Sequence, residues 1–245
     1  MPPLDGKSAL VTGGAQRIGR AIALSLARTG ANVAITYLQS GRQAKALVKD
    51  LESLGVNAVA VECDVRKPKS VNSAAKKVLA ELGGLDILIN NAALYETASF
   101  EKLTPEQWDT ILQTNTRGPF LVAQAFLPAL RKRNGRIVNL GSLGGARPWT
   151  SHAHYCVSKA ALNMLTLVMA KALAPEIAVN AVAPGMIETD RKASRDQLAR
   201  LAAKTPMKRN GTPEDVVDAV MFFATASHFI TGQVLYVDGG LGLAT

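Results

Sequence analysis

Short apolar runs alternate with stretches of helical spacing along nearly the whole chain, and this alternation limits the fold more than any other feature. Strands are read at residues 8–14, 32–37, 57–64, 86–92, 136–142, 178–183 and 233–237. Between them, helices are read at 17–28, 41–54, 69–82, 104–130 and 154–173, with a last long helix opened by Thr212-Pro213-Glu214-Asp215. Gly30 and Gly55 stand where helices stop, and Thr104-Pro105-Glu106-Gln107 has the cap, first-position proline and box residue of a helix start. The run 86–92 is nearly all apolar, as a strand covered on both faces must be. Strands and helices repeating at this spacing form parallel βαβ units with right-handed crossovers. The expected fold class is α/β: a Rossmann-type doubly wound, seven-stranded parallel sheet with helices on both faces.

The 245 residues, 48% hydrophobic and 19% charged, suit a single domain over 1–245 with a sizeable core. No linker, repeat or low-complexity tract divides them. No apolar run reads as long enough to span a bilayer, and the first residues lack the basic-then-apolar pattern of a leader. Cys63 and Cys156 fit no metal or redox spacing, so no metal is expected and the thiols suit a cytoplasmic protein. The net charge of +9 is scattered, and with 5% aromatic residues there is no base-stacking surface. Nucleic acid is therefore not the expected partner. A polyanionic cofactor is.

In such sheets ligands bind beyond the carboxyl ends of the strands. Gly13, Asp64, Asn91, Ser142 and Pro184-Gly185 all fall at those ends. Tyr155 and Lys159, four apart on a helix, share one face. A free tyrosine titrates near pH ~10, and an ammonium alongside favours the phenolate, so the pair suits general acid/base work. Thr12-Gly13-Gly14-Ala15-Gln16-Arg17-Ile18-Gly19 is a glycine-rich strand-to-helix turn of the kind that cradles a pyrophosphate at a helix start.

Taken in this order, with Asn90-Asn91-Ala92 and Asn115, these motifs resemble the short-chain dehydrogenase/reductase family over nearly the whole chain. The resemblance implies a catalytic tetrad of Asn115, Ser142, Tyr155 and Lys159. Ser142 would polarise a substrate carbonyl, Tyr155 would protonate it, Lys159 would support Tyr155 and hold the ribose, and Asn115 would support a connecting water. It also implies cofactor contacts from Gly13, Ile18, Gly19, Tyr37, Ala92, Pro184, Gly185 and Ile187, besides Tyr155 and Lys159. Asp64 and Val65 would flank the adenine, Asn91 would lie by the ribose, and Thr189 would hold the nicotinamide end. Tyr95, Trp149 and Met186 would line the substrate cleft, roofed by a loop inserted at 186–211 that carries Arg191, Lys192 and Arg195. His152 and His154 read as polar surface or pocket-rim residues.

Arg17 occupies the position where the family's turn has its middle glycine, and a cation at a helix start makes sense only if an extra anion sits there. The second strand ends without the carboxylate that selects NAD. Arg17, Ser40 and Arg42 are therefore read as a pocket for a 2′-phosphate, and the expected cofactor is NADP(H). Gly141-Ser142, 184–190 and Ile230-Thr231-Gly232 look like 3-oxoacyl-[acyl-carrier-protein] reductases, and Arg131-Lys132-Arg133 would suit an acidic carrier. The Arg17 motif and Leu173-Ala174-Pro175 look like pteridine reductases, although Ser142 replaces the aspartate usual there. The expected substrate is a small-molecule or carrier-bound carbonyl compound, a 3-oxoacyl thioester or similar ketone, with a pterin as the alternative and a non-catalytic NADP-binding sensor as the reading from another class. The helix at 154–173 leaves almost no polar face, so it must be covered on two sides. The sheet covers one. Either a second copy, in a dimer or tetramer of the kind common in the family, or the loop after strand six covers the other.

Overall fold

Leu10 points to one face of the first strand and Ala9 and Val11 to the other, and each face has its own core. This computed structural model describes residues 3–189 and 195–243. Its strands are β1 (Ser8–Val11), β2 (Asn32–Tyr37), β3 (Ala58–Glu62), β4 (Ile87–Asn90), β5 (Arg136–Leu140), β6 (Ala178–Pro184) and β7 (Val234–Val237). They form one sheet of order β3-β2-β1-β4-β5-β6-β7, and every pairing is parallel. The chain winds outward from β1 to β3, then crosses back to lay β4 on the other side of β1. A crevice opens at that reversal, beyond the carboxyl ends of β1 and β4.

On one face α1 (Arg17–Arg28) and α2 (Gly41–Glu52) bury Ile22, Leu26, Leu47 and Leu51 against Val11, Val33 and Ile89. On the other, α3 (Pro68–Leu82) buries Val71 and Val78 against Leu10, Leu88 and Ile137. Fully burying one such side chain stabilises the fold by ~1.5–3 kcal/mol, so both helical layers are held chiefly by these stripes.

The helix expected over 104–130 is interrupted. α4 (Pro105–Leu112) begins at the Thr104 capping box, α5 (Gly118–Lys132) follows, and Gln113–Arg117 between them is a π turn. One extra residue per turn is accommodated there, a feature frequent at functional sites. Asn115 lies in this turn.

α6 (Ala153–Leu173) is apolar all round, as expected, and at 21 residues it passes for a bilayer span by length and composition, contrary to the sequence reading. It is the helix that lays Tyr155 and Lys159 along the sheet. Ser158, Leu162, Thr166 and Met169 are buried on its inner side, while Val157, Met164 and Val168 form an exposed stripe with Leu167 beside it.

The segment 186–211 is more than a loop. It contains α7 (Arg195–Lys204), whose sequence is rich in helix formers but has only a thin apolar stripe. Its neck is closed where Glu188 N–H donates to Gly211 O (2.8 Å) and Gly211 N–H to Met186 O (2.9 Å). Arg191, Lys192 and the side chain of Arg195 lie outside the described residues. The last helix, α8 (Pro213–Thr225), opens on a Thr212–Asp215 capping box and packs beside α1.

Candidate active site

Thr12 leaves the β1 ladder and becomes the hub of the crevice. Its N–H donates to Ile89 O (3.0 Å), and its hydroxyl accepts from the N–H groups of Asn91 and Ala92, each at 3.0 Å. Asn91 closes the clasp from the other side, its amide donating to Thr12 O (2.9 Å) and Gly13 O (3.0 Å). Asn91, expected beside a ribose, uses its amide to position the turn. Gly13 has φ +62°, and a Cβ there would lie 2.9 Å from Ala92 Cα. A Cβ on Gly19 would lie 2.6 Å from Asn91 Nδ2. The first glycine lets the turn close against β4 and the last lets α1 press onto it. Such a bare backbone cradle at a helix start is what a pyrophosphate needs.

Arg17 has φ +52°, left-handed backbone at a residue that is not glycine. At the end of β2, a cavity of about 480 Å³ is lined by Tyr37, Leu38, Gln39, Gly41, Arg42, Lys45 and Glu62. Arg42 stands there as expected. Arg17 and Ser40 are not among the lining residues. Lys45 and Glu62 were missed, although Lys45 is one helical turn beyond Arg42 and Glu62 stands opposite Tyr37 in register. Arg42 and Lys45 against the single carboxylate of Glu62 leave the lining positive on balance, which fits a phosphorylated ribose. Asp64 is buried, and its carboxylate is held by Arg66 at 2.9 and 2.8 Å, which keeps its pKa below the ordinary value. Val65 packs on Gly118 at the start of α5.

Across the crevice, β5 ends at Leu140, and the turn after it presses on α6. A Cβ on Gly145 would lie 2.9 Å from the carbonyl carbon of Lys159, so only glycine allows this approach. Ser142 Oγ accepts from Gly144 N–H (3.1 Å), which leaves its hydroxyl hydrogen to donate elsewhere. Lys159 is buried, with Nζ donating to Leu140 O at 2.6 Å and lying 5.9 Å from the centroid of the Tyr155 ring. Burial pushes its pKa down to about 8. Asn115 braces the same corner, accepting from Leu94 N–H and donating to Leu94 O and Ser158 Oγ, and Ser158 in turn donates to Tyr155 O. The π turn is thus bonded to α6 at Ser158, between Tyr155 and Lys159.

Tyr95 and Trp149 do stand beside Tyr155, with ring centroids at 4.9 and 6.0 Å. His152 is half-buried with them, as a rim residue should be. His154 is not. It is fully buried, and neither ring nitrogen has a hydrogen-bond partner among the described residues. Burial holds its pKa below the ordinary value, which favours the neutral ring. Met186, Ile187 and Thr189 follow β6 at the neck of the 186–211 segment. Within one chain, Arg131-Lys132-Arg133 ends α5 at the rim away from this crevice. α5 runs antiparallel to the strands, so its end lies at the opposite rim, where Arg133 donates to Gly83 O ahead of β4.

A family profile described as enoyl-(acyl carrier protein) reductase matches residues 13–242. The chain is 38% identical to the 3-oxoacyl-[acyl-carrier-protein] reductase FabG of Staphylococcus epidermidis, over 96% of this chain and 98% of that protein. It is 39% identical to the reductase of the same name from Escherichia coli, over 97% and 98%. A crystal structure of a short chain dehydrogenase from Burkholderia cenocepacia in complex with NADP superposes with a TM-score of 0.92 at 39% identity, covering 98% of this chain and 99% of that one.

Proposed function

The chain belongs to the short-chain dehydrogenase/reductase family and is an oxidoreductase acting between CH–OH and C=O, and from that premise we propose an NADPH-dependent reductase of a 3-oxoacyl thioester or similar ketone. The observation that carries the reading is the buried Lys159 ammonium 5.9 Å from the Tyr155 ring, on a helix pressed against the Ser142 turn. When bound, NADPH supplies hydride to the carbonyl carbon. Gly13, Ile18 and Gly19 hold its pyrophosphate, Arg42 and Lys45 its 2′-phosphate, and residues 184–189 its nicotinamide end. Ser142 donates to the carbonyl oxygen, and Tyr155 gives that oxygen its proton. Lys159 keeps positive charge beside Tyr155 and restores its proton, and Asn115, through the turn it braces, supports the water that connects Lys159 to solvent.

Arg17 in the turn favours a second reading, a pterin reductase. The test of both is loss of NADPH absorbance with a 3-oxoacyl thioester, a dihydropterin and simple diketones. The thioester or a diketone is expected to be turned over with NADPH well ahead of NADH. Turnover of the pterin alone would replace the ketone reading, and turnover of none would refute the reductase. The exposed stripe of Val157, Met164 and Val168 on α6 supports assembly with a second copy, and the free thiols Cys63 and Cys156 support a cytoplasmic setting.

A further inference from the structure

The chain has only 4 tyrosines and 2 tryptophans, yet Tyr95, Trp149 and Tyr155 meet at one place with His152. Their rings form a closed circuit. Tyr155 meets Tyr95 edge-on at 4.9 Å, Tyr95 stacks on His152 at 4.8 Å, His152 meets Trp149 edge-on at 5.8 Å, and Trp149 lies parallel to Tyr155 at 6.0 Å. Phe222–Phe223 is the only other ring pair among the described residues.

Hydroxyl groups fix the circuit. His152 has Ser151 Oγ 2.9 Å from Nδ1 and Thr97 Oγ1 3.1 Å from Nε2, so the imidazole plane cannot rotate without breaking both contacts. Trp149 rests on the turn after Ser142, where a Cβ on Gly144 would come within 3.2 Å of its ring. These rings are not a core cluster. Tyr95 is 38% exposed, and the other three are half-buried. A partly open aromatic surface, held by these contacts, therefore adjoins the proton donor. Aliphatic side chains would serve a flexible acyl tail as well. Planar rings add a preference for a flat π system, which gains offset or edge-on stacking beyond simple burial.

Resting on the reductase reading, we propose that Tyr95, Trp149 and His152 set specificity for a carbonyl bearing a flat, conjugated substituent, an aryl ketone in the simplest case. Tyr95 and Trp149 contact that substituent, and His152 acts through them as a positioning residue.

Phenyl and cyclohexyl versions of one methyl diketone test this, because they share a carbon skeleton and differ in planarity. Wild-type protein is expected to prefer the phenyl compound by about tenfold in kcat/KM. Tyr95→Leu and Trp149→Leu should each shrink the ratio toward unity, and Trp149→Phe should keep most of it. His152→Leu should shrink it less, by loosening both rings. A wild-type ratio near unity, or one that survives both leucine variants, overturns the proposal. Should a leucine variant fail to fold, the His152→Leu ratio decides, and a ratio unchanged from wild type overturns the proposal. The same pair read as dissociation constants by tryptophan fluorescence separates the two readings. Phenyl-selective binding without turnover refutes the reductase and leaves the aromatic surface standing. Turnover without selectivity does the reverse.

Discussion

The two walls of the crevice are built by different physics. On the β1–β4 side, Thr12, Asn91 and Thr36 hold the glycine turn with hydrogen bonds between 2.9 and 3.2 Å. On the β5–α6 side, one buried ammonium and a circuit of rings surround Tyr155. Hydrogen bonds tolerate little change of residue, because each donor and acceptor must be matched. Ring packing tolerates exchange of one ring for another of similar size. A wall of the first kind recognises the part of a ligand that never varies, and a wall of the second kind can be retuned for a new substrate.

Substitutions can break this contrast. The largest effect is expected from Tyr155→Phe, which keeps the ring circuit and removes the proton. Turnover should fall ~10²–10⁴-fold while NADPH affinity, measured by fluorescence titration, stays close to wild type. Near-normal turnover would mean that another group supplies the proton.

Lys159 allows a test on stability. The fold holds it at about 8 against an ordinary 10.5, and the unfolded chain keeps the higher value. Between those limits the unfolded chain binds more protons, so stability rises with pH across the window and is lower below it. The rise is at most about 3 kcal/mol. It should disappear in Lys159→Met when urea midpoints are compared at about pH 7 and about pH 10. Equal rises in both proteins would mean that the ammonium is not desolvated.

Thr12→Val should cost about 1–3 kcal/mol, because it strands the N–H groups of Asn91 and Ala92. It should also weaken NADPH binding while leaving the phenyl-to-cyclohexyl ratio untouched. A changed ratio would couple the two walls. The smallest effect is expected from Arg42→Gln, about tenfold weaker NADPH with NADH nearly unaffected, since the guanidinium is exposed and its pairing is screened. Equal losses for both nucleotides would remove Arg42 from phosphate selection.

The sheet was legible because β-strand periods and helix stops are local. Gly13 and Gly19 were legible because nothing larger fits where the backbones meet. The π turn at Gln113–Arg117 was not, since its residues are ordinary helix residues and the extra one shows only when Asn115 meets Leu94. His154 could not be placed inside on a helix apolar all round, which marks no inner face. The placement of Arg131-Lys132-Arg133 is a different case. Strand direction alone assigns the end of α5 to the far rim, and that signal was present in the alternation of elements.

Arg17 holds left-handed backbone that costs an ordinary residue roughly 1–2 kcal/mol and glycine nothing in sterics. A mutation to glycine there relaxes the chain at the same stroke that deletes a guanidinium from the nucleotide turn. Populations selected only for heat tolerance should therefore drift toward glycine at this position, and populations that must keep the guanidinium should not. If the guanidinium binds the cofactor, its loss from a lineage would record a change of ligand before any change in the fold.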